Sequence, residues 1–166
     1  MSNTQTIHGV LVSIFNIGTL ITGSAKSGKS ELALALISRG HKLVADDAPE
    51  FTKKNSVIIG TCPALLRGFM HIRNLGIINI GELFSNKRLK QKSKLELIIH
   101  LGASNKRNKS ILGTSIPKIN LERTIATDLT NITEIAVRNF ILQQNGYDAE
   151  KMFAKKHQQL INRKRS

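Results

Sequence analysis

The sequence predicts a single α/β domain with a mixed β-sheet and a helical C-terminus. Three observations favour this fold. Apolar, strand-like runs recur through the first two thirds of the chain, and one of them leads through a glycine-rich turn into a run of strong helix formers. The last third changes to apolar residues at helical spacing. A chain of 166 residues suits one domain, so residues 1–166 are expected to fold as one unit.

The N-terminal elements are predicted from apolar runs and from the turn residues between them. In chain order they are a strand at 7–14, a turn at Asn16-Ile17-Gly18, a strand at 19–22, a helix at 31–37 closed by Arg39-Gly40, a strand at 42–45 and a hairpin at 51–59 with Lys54-Asn55 at its turn. The helix is assigned from its strong helix formers, its basic last turn and its terminal glycine. A hairpin therefore leads into the glycine-rich turn and the helix.

The remaining elements are β-like at first and helical at the end. They are strands at 75–80 and 95–101, a mobile loop at about 102–117, and C-terminal helices over about 129–165. The loop is predicted because that segment is polar, basic and glycine-containing. Asn145-Gly146 ends the first C-terminal helix, and Asp148 is the expected N-cap of the second.

The formal net charge of +14 raises the question of a nucleic-acid partner. The basic residues are clustered, but no aromatic residue interleaves the clusters at 87–94 and 106–109, as a base-stacking surface prefers. Solvated loops and helix faces are therefore the preferred interpretation, and nucleic acid is not an expected partner. An acidic protein partner and nonspecific nucleic acid stay open as alternatives.

Cysteine usage and hydropathy bear on the compartment. The one cysteine, Cys62, has no partner within the chain, so nothing favours an oxidising compartment. No apolar run reaches the roughly 18 residues of a membrane span, and the N-terminus lacks the basic and apolar blocks of a signal peptide. We therefore expect a cytoplasmic protein without a membrane partner.

Residues 23–30 match the phosphate-binding pattern G-x-x-x-x-G-K-[ST], which places this chain among P-loop-containing domains. The predicted nucleotide-binding residues are Gly23, Ser24, Ala25, Lys26, Ser27, Gly28, Lys29 and Ser30. Such a loop turns backbone N–H groups toward anionic oxygens, while Lys29 reaches the terminal phosphates and the Ser30 hydroxyl holds Mg²⁺. The alternative is a turn rich in glycine and serine that matches by chance. The order strand, turn, helix favours nucleotide binding.

Two carboxylates, Asp46 and Asp47, follow the strand after the loop helix. One can assist Mg²⁺ while the other accepts a proton from an attacking hydroxyl during phosphoryl transfer. Neighbouring carboxylates also push each other's pKa apart, which suits one of them to proton transfer. The alternative is an Asx turn that closes the strand. His8 says little alone, because a lone histidine is more often structural than catalytic.

Together these residues resemble the catalytic domain of bacterial HPr kinase/phosphorylase. The matching segments are 8–12, 28–31, 39–47, the signature-like 71–79, 117–119, 134–139 and 146–149. The resemblance covers nearly the whole chain and is to a short form that lacks the family's N-terminal domain.

The resemblance implies an ATP-dependent protein serine kinase that acts on HPr, the phosphocarrier of the sugar phosphotransferase system, and that also removes the phosphate by phosphorolysis. By matching position, Asp47 is the acid/base that activates the serine, and His8 is a further catalytic residue. Lys29 holds the phosphates, Ser30 binds Mg²⁺, and Asp46 supports the metal or orients Asp47. The implied cofactors are ATP and Mg²⁺, and the implied assembly is a homo-hexamer.

Several positions depart from the family pattern. His71 stands where the family has a Mg²⁺-binding glutamate, and neutral imidazole is a poor ligand for this hard ion. Arg73 and Gly76 of the signature are kept, whereas the glycine after the arginine is Asn74 and the later aspartate is Asn79.

Two further departures concern arginine. The expected catalytic arginine of the loop falls near Ile111, where Arg107 or Lys109 offers a substitute charge. The segment that is Gly-Arg-Asn in the family reads Ala126-Thr127-Asp128. The expectation is a kinase activity that survives better than phosphorylase activity.

Two other function classes remain open at this point. One is a catalytically weakened nucleotide-binding regulator of the same fold, which His71 and Ile111 favour. The other is a small-molecule P-loop kinase or a nucleic-acid-associated nucleotide-binding protein, favoured only by the generic loop and the basic charge.

Overall fold

The computed structural model describes residues 3–165. The strands are β1 (Thr4–Thr6), β2 (Val10–Ile14), β3 (Ile17–Gly23), β4 (Lys42–Ala45), β5 (Glu50–Lys54), β6 (Val57–Thr61), β7 (Phe69–Ile72), β8 (Gly76–Asn79), β9 (Lys92–Lys94), β10 (Leu97–Leu101), β11 (Asn108–Ile111) and β12 (Thr114–Leu121). The α-helices are α1 (Lys29–Ser38), α2 (Ile80–Leu83), α3 (Leu129–Gln144) and α4 (Ala149–Arg165), and single 3-10 turns lie at Ala64–Leu66 and Asn86–Arg88.

The central layer is a six-stranded mixed sheet in the order β11-β12-β10-β3-β2-β4. Strand β10 pairs in parallel with both β3 and β12, while β2 pairs antiparallel with β3 and β4. Leu101 lies opposite Gly23 on one side and opposite Leu121 on the other. The carboxyl ends of three parallel strands therefore meet at one edge of the sheet.

Alternating side chains of this sheet face two separate cores. In β10, Leu97 and Ile99 pack in a core with residues of α1 and α3, whereas Ile98 packs in a second core with residues of a four-stranded antiparallel sheet, β1-β5-β6-β9. Phe51 of β5 and Ile58 of β6 are fully or almost fully buried in that second core. The domain thus has helices on one face of the central sheet and a smaller sheet on the other.

Glycine allows the two sheets to approach closely at two points. A Cβ atom on Gly18 would lie 1.7 Å from the backbone oxygen of Lys94, and one on Gly60 would lie 2.3 Å from Cδ2 of Leu11. A larger residue at position 18 has to push the strands apart, whereas one at position 60 has to displace the side chains of Leu11 and Phe51.

Helices α1 and α3 are tied together by a polar cluster at the end of α1. The guanidinium of Arg39 donates to both carboxylate oxygens of Glu134 at 2.9 and 2.6 Å, and Nε2 of His41 lies 2.8 Å from the same carboxylate. Burial opposes ionisation of Glu134, but the hydrogen bonds from His41 and Arg39 outweigh it and hold the pKa of that carboxyl below its usual range. The cluster fixes how α3 sits against α1.

The predicted α/β fold with a mixed sheet and C-terminal helices is confirmed. The two C-terminal helices differ in burial, because α4 has no buried side chain among its described residues. None of the helices within residues 3–165 is long and apolar enough to cross a membrane.

Two local predictions were wrong. The strand predicted at 7–14 begins only at Val10, because the chain bends at His8 and Gly9. The segment 102–117, predicted as a loop, contains β11 and the first half of β12, which form an antiparallel hairpin. The strand predicted at 75–80 is confirmed as β8, and its hairpin partner β7 was not predicted.

Candidate active site

The glycine-rich loop joins the end of β3 to the start of α1. Gly28 stands at the N-cap with φ of +91°, a backbone conformation that favours glycine. At the other end of the loop, a Cβ on Gly23 would lie 2.6 Å from Oγ of Ser27 and 2.9 Å from the backbone oxygen of Leu101. Both glycines of the pattern are therefore required by the geometry of the turn.

Lys29 lies folded over the loop. Its ammonium group donates to the backbone oxygens of Gly23 at 3.1 Å and of Ser24 at 2.9 Å. The Oγ of Ser27 is buried and has no hydrogen-bond partner among residues 3–165. The loop thus presents a cation and an unused hydroxyl together with the backbone N–H groups at the start of α1.

Asp46 connects the loop helix to the β7–β8 hairpin. One of its carboxylate oxygens accepts a hydrogen bond from the Ser30 hydroxyl at 3.1 Å, and the other accepts one from the backbone N–H of His71 at 2.9 Å. Burial raises the pKa of Asp46, the two hydrogen bonds lower it, and the charge of Asp47 raises it, with a net upward shift. Because its partners lie in other elements, this carboxylate does more than close the end of β4.

The oxygen atoms of Ser30 and Asp46 fit Mg²⁺. This ion prefers hard oxygen ligands, keeps several waters and is commonly held by one or two protein groups together with substrate phosphates. The imidazole of His71 adds no oxygen to this set. No group of three or more histidine, cysteine, aspartate or glutamate side chains that could hold a metal by themselves occurs in the described part of the chain.

Asp47 and His8 form an exposed pair at the end of β4. Nδ1 of His8 lies 3.6 Å from Oδ1 of Asp47, and the two side chains are 89% and 82% exposed. The backbone holds the pair, because Gly9 donates from its N–H to the backbone oxygen of Asp47 at 2.8 Å. Asp47 has φ of +67°, which aspartate tolerates better than most residues. Both side chains are open to a large substrate.

A cavity of about 230 Å³ lies over the start of α1. Its walls include Lys26, Lys29, Ser30, His71 and Arg73. The structure therefore brings Arg73, which is kept from the family signature, and His71, which departs from it, to the same cavity as Lys29 and Ser30. Gly76 opens β8 with φ of +82° and does not line this cavity.

A second cavity, of about 470 Å³, opens beside His8 and Gly23. It is lined by His100, Lys106, Lys109 and Lys118 as well, and by no acidic side chain. Its walls come from β3, β10 and the β11–β12 hairpin. This face of the site is strongly basic.

His100 and Lys118 were missed by the sequence analysis. Nδ1 of His100 lies 2.9 Å from Oγ1 of Thr22, and Lys118 donates to Oγ of Ser104 at 3.0 Å. Burial lowers the pKa of His100, and the charges of Lys118 and Lys109 lower it further. The sequence carries no local signal for His100, because it reaches this site by pairing in register with Thr22 of the parallel neighbour β3.

The residues that depart from the family pattern have separate structural explanations. Asn74 has φ of +71° in the β7–β8 turn, where asparagine replaces glycine at modest cost. Asn79 caps α2 by accepting from the N–H of Glu82 at 3.2 Å. Asp128 caps α3 by accepting from the N–H of Asn131 at 3.1 Å.

Ile111 does not belong to the site. Its side chain is fully buried in the core between the two sheets. Arg107 and Lys109 were the two possible substitutes for the family's arginine. Lys109 lines the basic cavity, and Arg107 does not. Thr127 hydrogen-bonds Thr124 through their hydroxyls.

The fold defines the class first: the chain is an α/β protein with a mixed sheet, and a glycine-rich loop joins β3 to α1 beside the carboxylates of Asp46 and Asp47. The sequence model described as HPr Serine kinase C-terminal domain matches residues 1–157. The chain belongs to this HPr serine kinase family.

Relatives and solved structures agree with this assignment. The chain is 42% identical over 176 aligned residues to proteins named HPr kinase/phosphorylase from Xanthomonas campestris pv. campestris strain B100 and Xanthomonas oryzae pv. oryzae strain PXO99A. Each alignment covers 96% of this chain and 55% of the relative, so the chain spans about half the length of these relatives. The structure of the Hpr(Ser) kinase/phosphatase from Coxiella burnetii is similar with a TM-score of 0.80 and 37% identity, over 86% of this chain and 99% of that one.

Proposed function

We propose that this chain transfers the γ-phosphoryl group of ATP to a serine hydroxyl of an HPr-like phosphocarrier protein. The observation that carries the proposal is the exposed pair of Asp47 and His8 beside the phosphate loop. The pair is open enough for a side chain of another protein to reach it. The names of the relatives support the choice of substrate.

In the proposed reaction the loop N–H groups and Lys29 bind the phosphates. Asp47 removes the proton from the serine hydroxyl, and the serine oxygen attacks the γ-phosphorus as its bond to the ADP oxygen breaks. His8 lies 3.6 Å from Asp47 and favours the orientation in which Asp47 faces the incoming hydroxyl. Asp46 holds Ser30, which fixes the start of α1 against β4.

Ser30 and Asp46 are the proposed Mg²⁺ ligands. When bound, Mg²⁺ neutralises phosphate charge. Replacement of the family's glutamate by His71 leaves fewer oxygen donors, so we expect weaker affinity for the ion than in relatives that keep the glutamate.

The kinase direction is proposed to survive better than phosphorolysis. The segment associated with phosphorolysis offers no arginine at Thr127, which bonds Thr124 instead. Asp128 uses its carboxylate to cap α3, and its negative charge disfavours a second phosphate.

The competing proposal is a nucleotide-binding regulator of the same fold with weakened catalysis. The burial of Ile111 favours it, because that residue lies in the core and no arginine lines the basic cavity in its place. Under this proposal ATP binds, but no phosphate transfer depends on Asp47.

The family resemblance also leads us to propose a homo-hexamer. Phe153 and Leu160 of α4 are exposed, and burial against other subunits would remove this apolar surface from water. Light scattering of the purified protein measures the assembly directly.

The test of the function is a transfer assay in both directions. Purified protein is incubated with γ-labelled ATP, Mg²⁺ and HPr, and separately with serine-phosphorylated HPr and inorganic phosphate. We expect label on serine in the first reaction and slow or undetectable phosphate release in the second. ATP binding without label on HPr supports the regulator, and efficient phosphorolysis contradicts the proposed bias.

A further inference from the structure

The basic cavity that opens beside His8 takes no part in the reaction steps proposed above. It measures about 470 Å³, and a water molecule takes only about 30 Å³ of liquid volume, so the cavity has room for more than one small ion. The charged or titratable residues in its wall are His8, His100, Lys106, Lys109 and Lys118. The other lining residues are uncharged, so every charge in the wall is positive.

A repeated pattern in neighbouring strands produces this charge. In β10, Ile98 packs in the core between the two sheets, and His100 follows it two residues later. In β12, Ile116 packs in the same core, and Lys118 follows it two residues later. Side chains two residues apart point to the same face of a strand. The core-facing side of each strand therefore ends in a basic residue.

Strand β11 runs in the opposite direction and shows the same order toward the same edge. Ile111 packs in that core, and Lys109 precedes it by two residues. Lys109 pairs with Ile116 of β12, whereas Ile111 pairs with Thr114, so Lys109 lies nearer the carboxyl end of β12. Three neighbouring strands thus carry basic side chains from the core to one edge of the central sheet.

The protein does not neutralise these charges. Within residues 3–165, none of the three lysines of the cavity takes part in an ion pair. The ammonium group of Lys118 donates to the neutral hydroxyl of Ser104, and those of Lys106 and Lys109 form no hydrogen bond in that part of the chain. Like charges gathered in this way repel one another, and a ligand with negative charge relieves the repulsion.

The position of the cavity selects the kind of ligand. It opens at His8, whose imidazole lies beside Asp47, and the proposed function brings the acceptor serine to that carboxylate. Neighbouring residues of an extended chain are about 3.3 Å apart, so residues that flank the serine pass close to the cavity. Among the described lining residues there is no phenylalanine, tyrosine or tryptophan on which a nucleobase could stack. Carboxylates of a protein substrate therefore fit better than a nucleic acid.

We propose that the basic cavity binds acidic side chains that flank the acceptor serine of the protein substrate, and that Lys106 and Lys109 select for them. The inference rests on the proposed kinase function, because that function places the serine at Asp47. It gives the basic segment at 106–109 a role in choosing the substrate. Charge attraction of this kind acts mainly on association with the partner, so we expect Lys106 to affect KM more than kcat.

The first measurement follows binding of a fluorescein-labelled glutamate hexapeptide, without nucleotide, at low and at physiological ionic strength. Lys106→Ala/Lys109→Ala is expected to weaken the binding about fivefold or more and to reduce its salt dependence. Lys54→Ala/Lys155→Ala is the matched control, which removes two exposed lysines from β5 and α4, and its dissociation constant should stay within about twofold of the wild type. This pair of variants separates the cavity from the general attraction of a chain with a net charge of +14.

The second measurement is steady-state phosphate transfer from ATP to HPr. Lys106→Glu reverses one charge of the cavity, and we expect it to raise the KM for HPr about fivefold or more while kcat stays within about twofold. Lys54→Glu is the control and should change neither value. The unlabelled hexapeptide should inhibit the wild type competitively with HPr and should inhibit Lys106→Glu less. Melting temperatures show that the variants are folded.

Three results overturn the inference. The first is equal weakening of peptide binding by the cavity variant and the control variant, and the second is an unchanged KM for HPr in folded Lys106→Glu. The third is a short single-stranded DNA that binds more tightly than the peptide and depends on the same two lysines, which assigns the cavity to nucleic acid.

The outcomes also separate this inference from the proposed function. If the wild type labels no HPr but binds the peptide through Lys106 and Lys109, the kinase proposal fails and the site for acidic side chains stands. If HPr is labelled and neither its KM nor peptide binding depends on these lysines, the inference fails and the kinase proposal stands.

Discussion

Nδ1 of His8 lies 3.6 Å from Oδ1 of Asp47, although His8 precedes the glycine-rich loop at residues 23–30 and Asp47 follows it. They meet because β2 and β4 are antiparallel neighbours, so the start of one strand lies beside the end of the other. The pair is exposed, and its attraction alone adds little to stability. The proposed proton transfer explains the position of the pair beside the loop better than a contribution to stability does.

Replacing His8 tests this explanation. We expect His8→Ala to lower the rate of phosphate transfer to HPr by about 10- to 100-fold, because Asp47 loses the neighbour that orients it. The dissociation constant for ATP should not change, since His8 does not belong to the loop. His157→Ala, at an exposed histidine of α4, is the control. A normal transfer rate in His8→Ala would assign His8 a structural role.

Restoring a carboxylate at position 71 should strengthen Mg²⁺ binding. His71 and Ser30 line the same small cavity, so the carboxylate of His71→Glu adds an oxygen donor beside the Ser30 hydroxyl. We expect the Mg²⁺ concentration for half-maximal ATP binding to fall about tenfold, as followed by fluorescence of a labelled nucleotide. His71→Gln keeps the size and lacks the charge, and it should produce a much smaller change. Equal Mg²⁺ requirements in all three proteins would remove position 71 from the metal site.

The Glu134 cluster should contribute measurably to stability. Glu134→Gln replaces the buried carboxylate that accepts from Arg39 and His41, and we expect a loss of about 1.5–3 kcal/mol, the usual value of hydrogen bonds to charged groups. Denaturant unfolding at pH 7 measures it, with the exposed Glu150→Gln as the control.

The same variant gives a pH dependence. The pKa of Glu134 is lowered in the folded protein, so its stabilisation is present above the ordinary glutamate pKa of about 4.3 and is lost as the pH falls through the lower folded value. The stability difference between wild type and Glu134→Gln should therefore be constant near neutral pH and shrink below that point. A difference that grows on acidification contradicts the assigned shift.

Gly18 should be among the least tolerant positions of the fold. The Cβ of Gly18→Ala would lie 1.7 Å from the backbone oxygen of Lys94, and neither atom can move without separating the two sheets. We expect a loss of about 3 kcal/mol or more in unfolding free energy. Gly113→Ala is the comparison, because that site is open and strained only by its φ of +73°, for a cost of about 1–2 kcal/mol. Similar losses in the two variants would mean that the sheets part easily.

The sequence predicted the parts of the site that depend on neighbours in the chain. The loop at residues 23–30 carries its own glycines and its own helix start, and Asp46 and Asp47 follow directly from the end of β4. The same local reasoning failed for the loop predicted at 102–117, since β11 and β12 pair there and turn Ile111 inward to the core.

Arg123 and His100 could not be predicted from local patterns. The guanidinium of Arg123 lies against Gly28, and His100 lines a cavity with Gly23, because β3, β10 and β12 are parallel neighbours with their carboxyl ends at one edge. Sheet order is set by packing between distant segments, and residue spacing does not reveal it. Once the order is known, polar residues at or just after the ends of these strands are the ones to examine.

The central claim is that Asp47 removes the proton from the attacking serine hydroxyl. The most direct measurement compares phosphate transfer to HPr by the wild type and by Asp47→Asn, with ATP binding measured on the same preparations. The account predicts that Asp47→Asn binds ATP within twofold of the wild type and transfers phosphate at least a hundredfold more slowly. Transfer at the wild-type rate by a variant that binds ATP normally would contradict it.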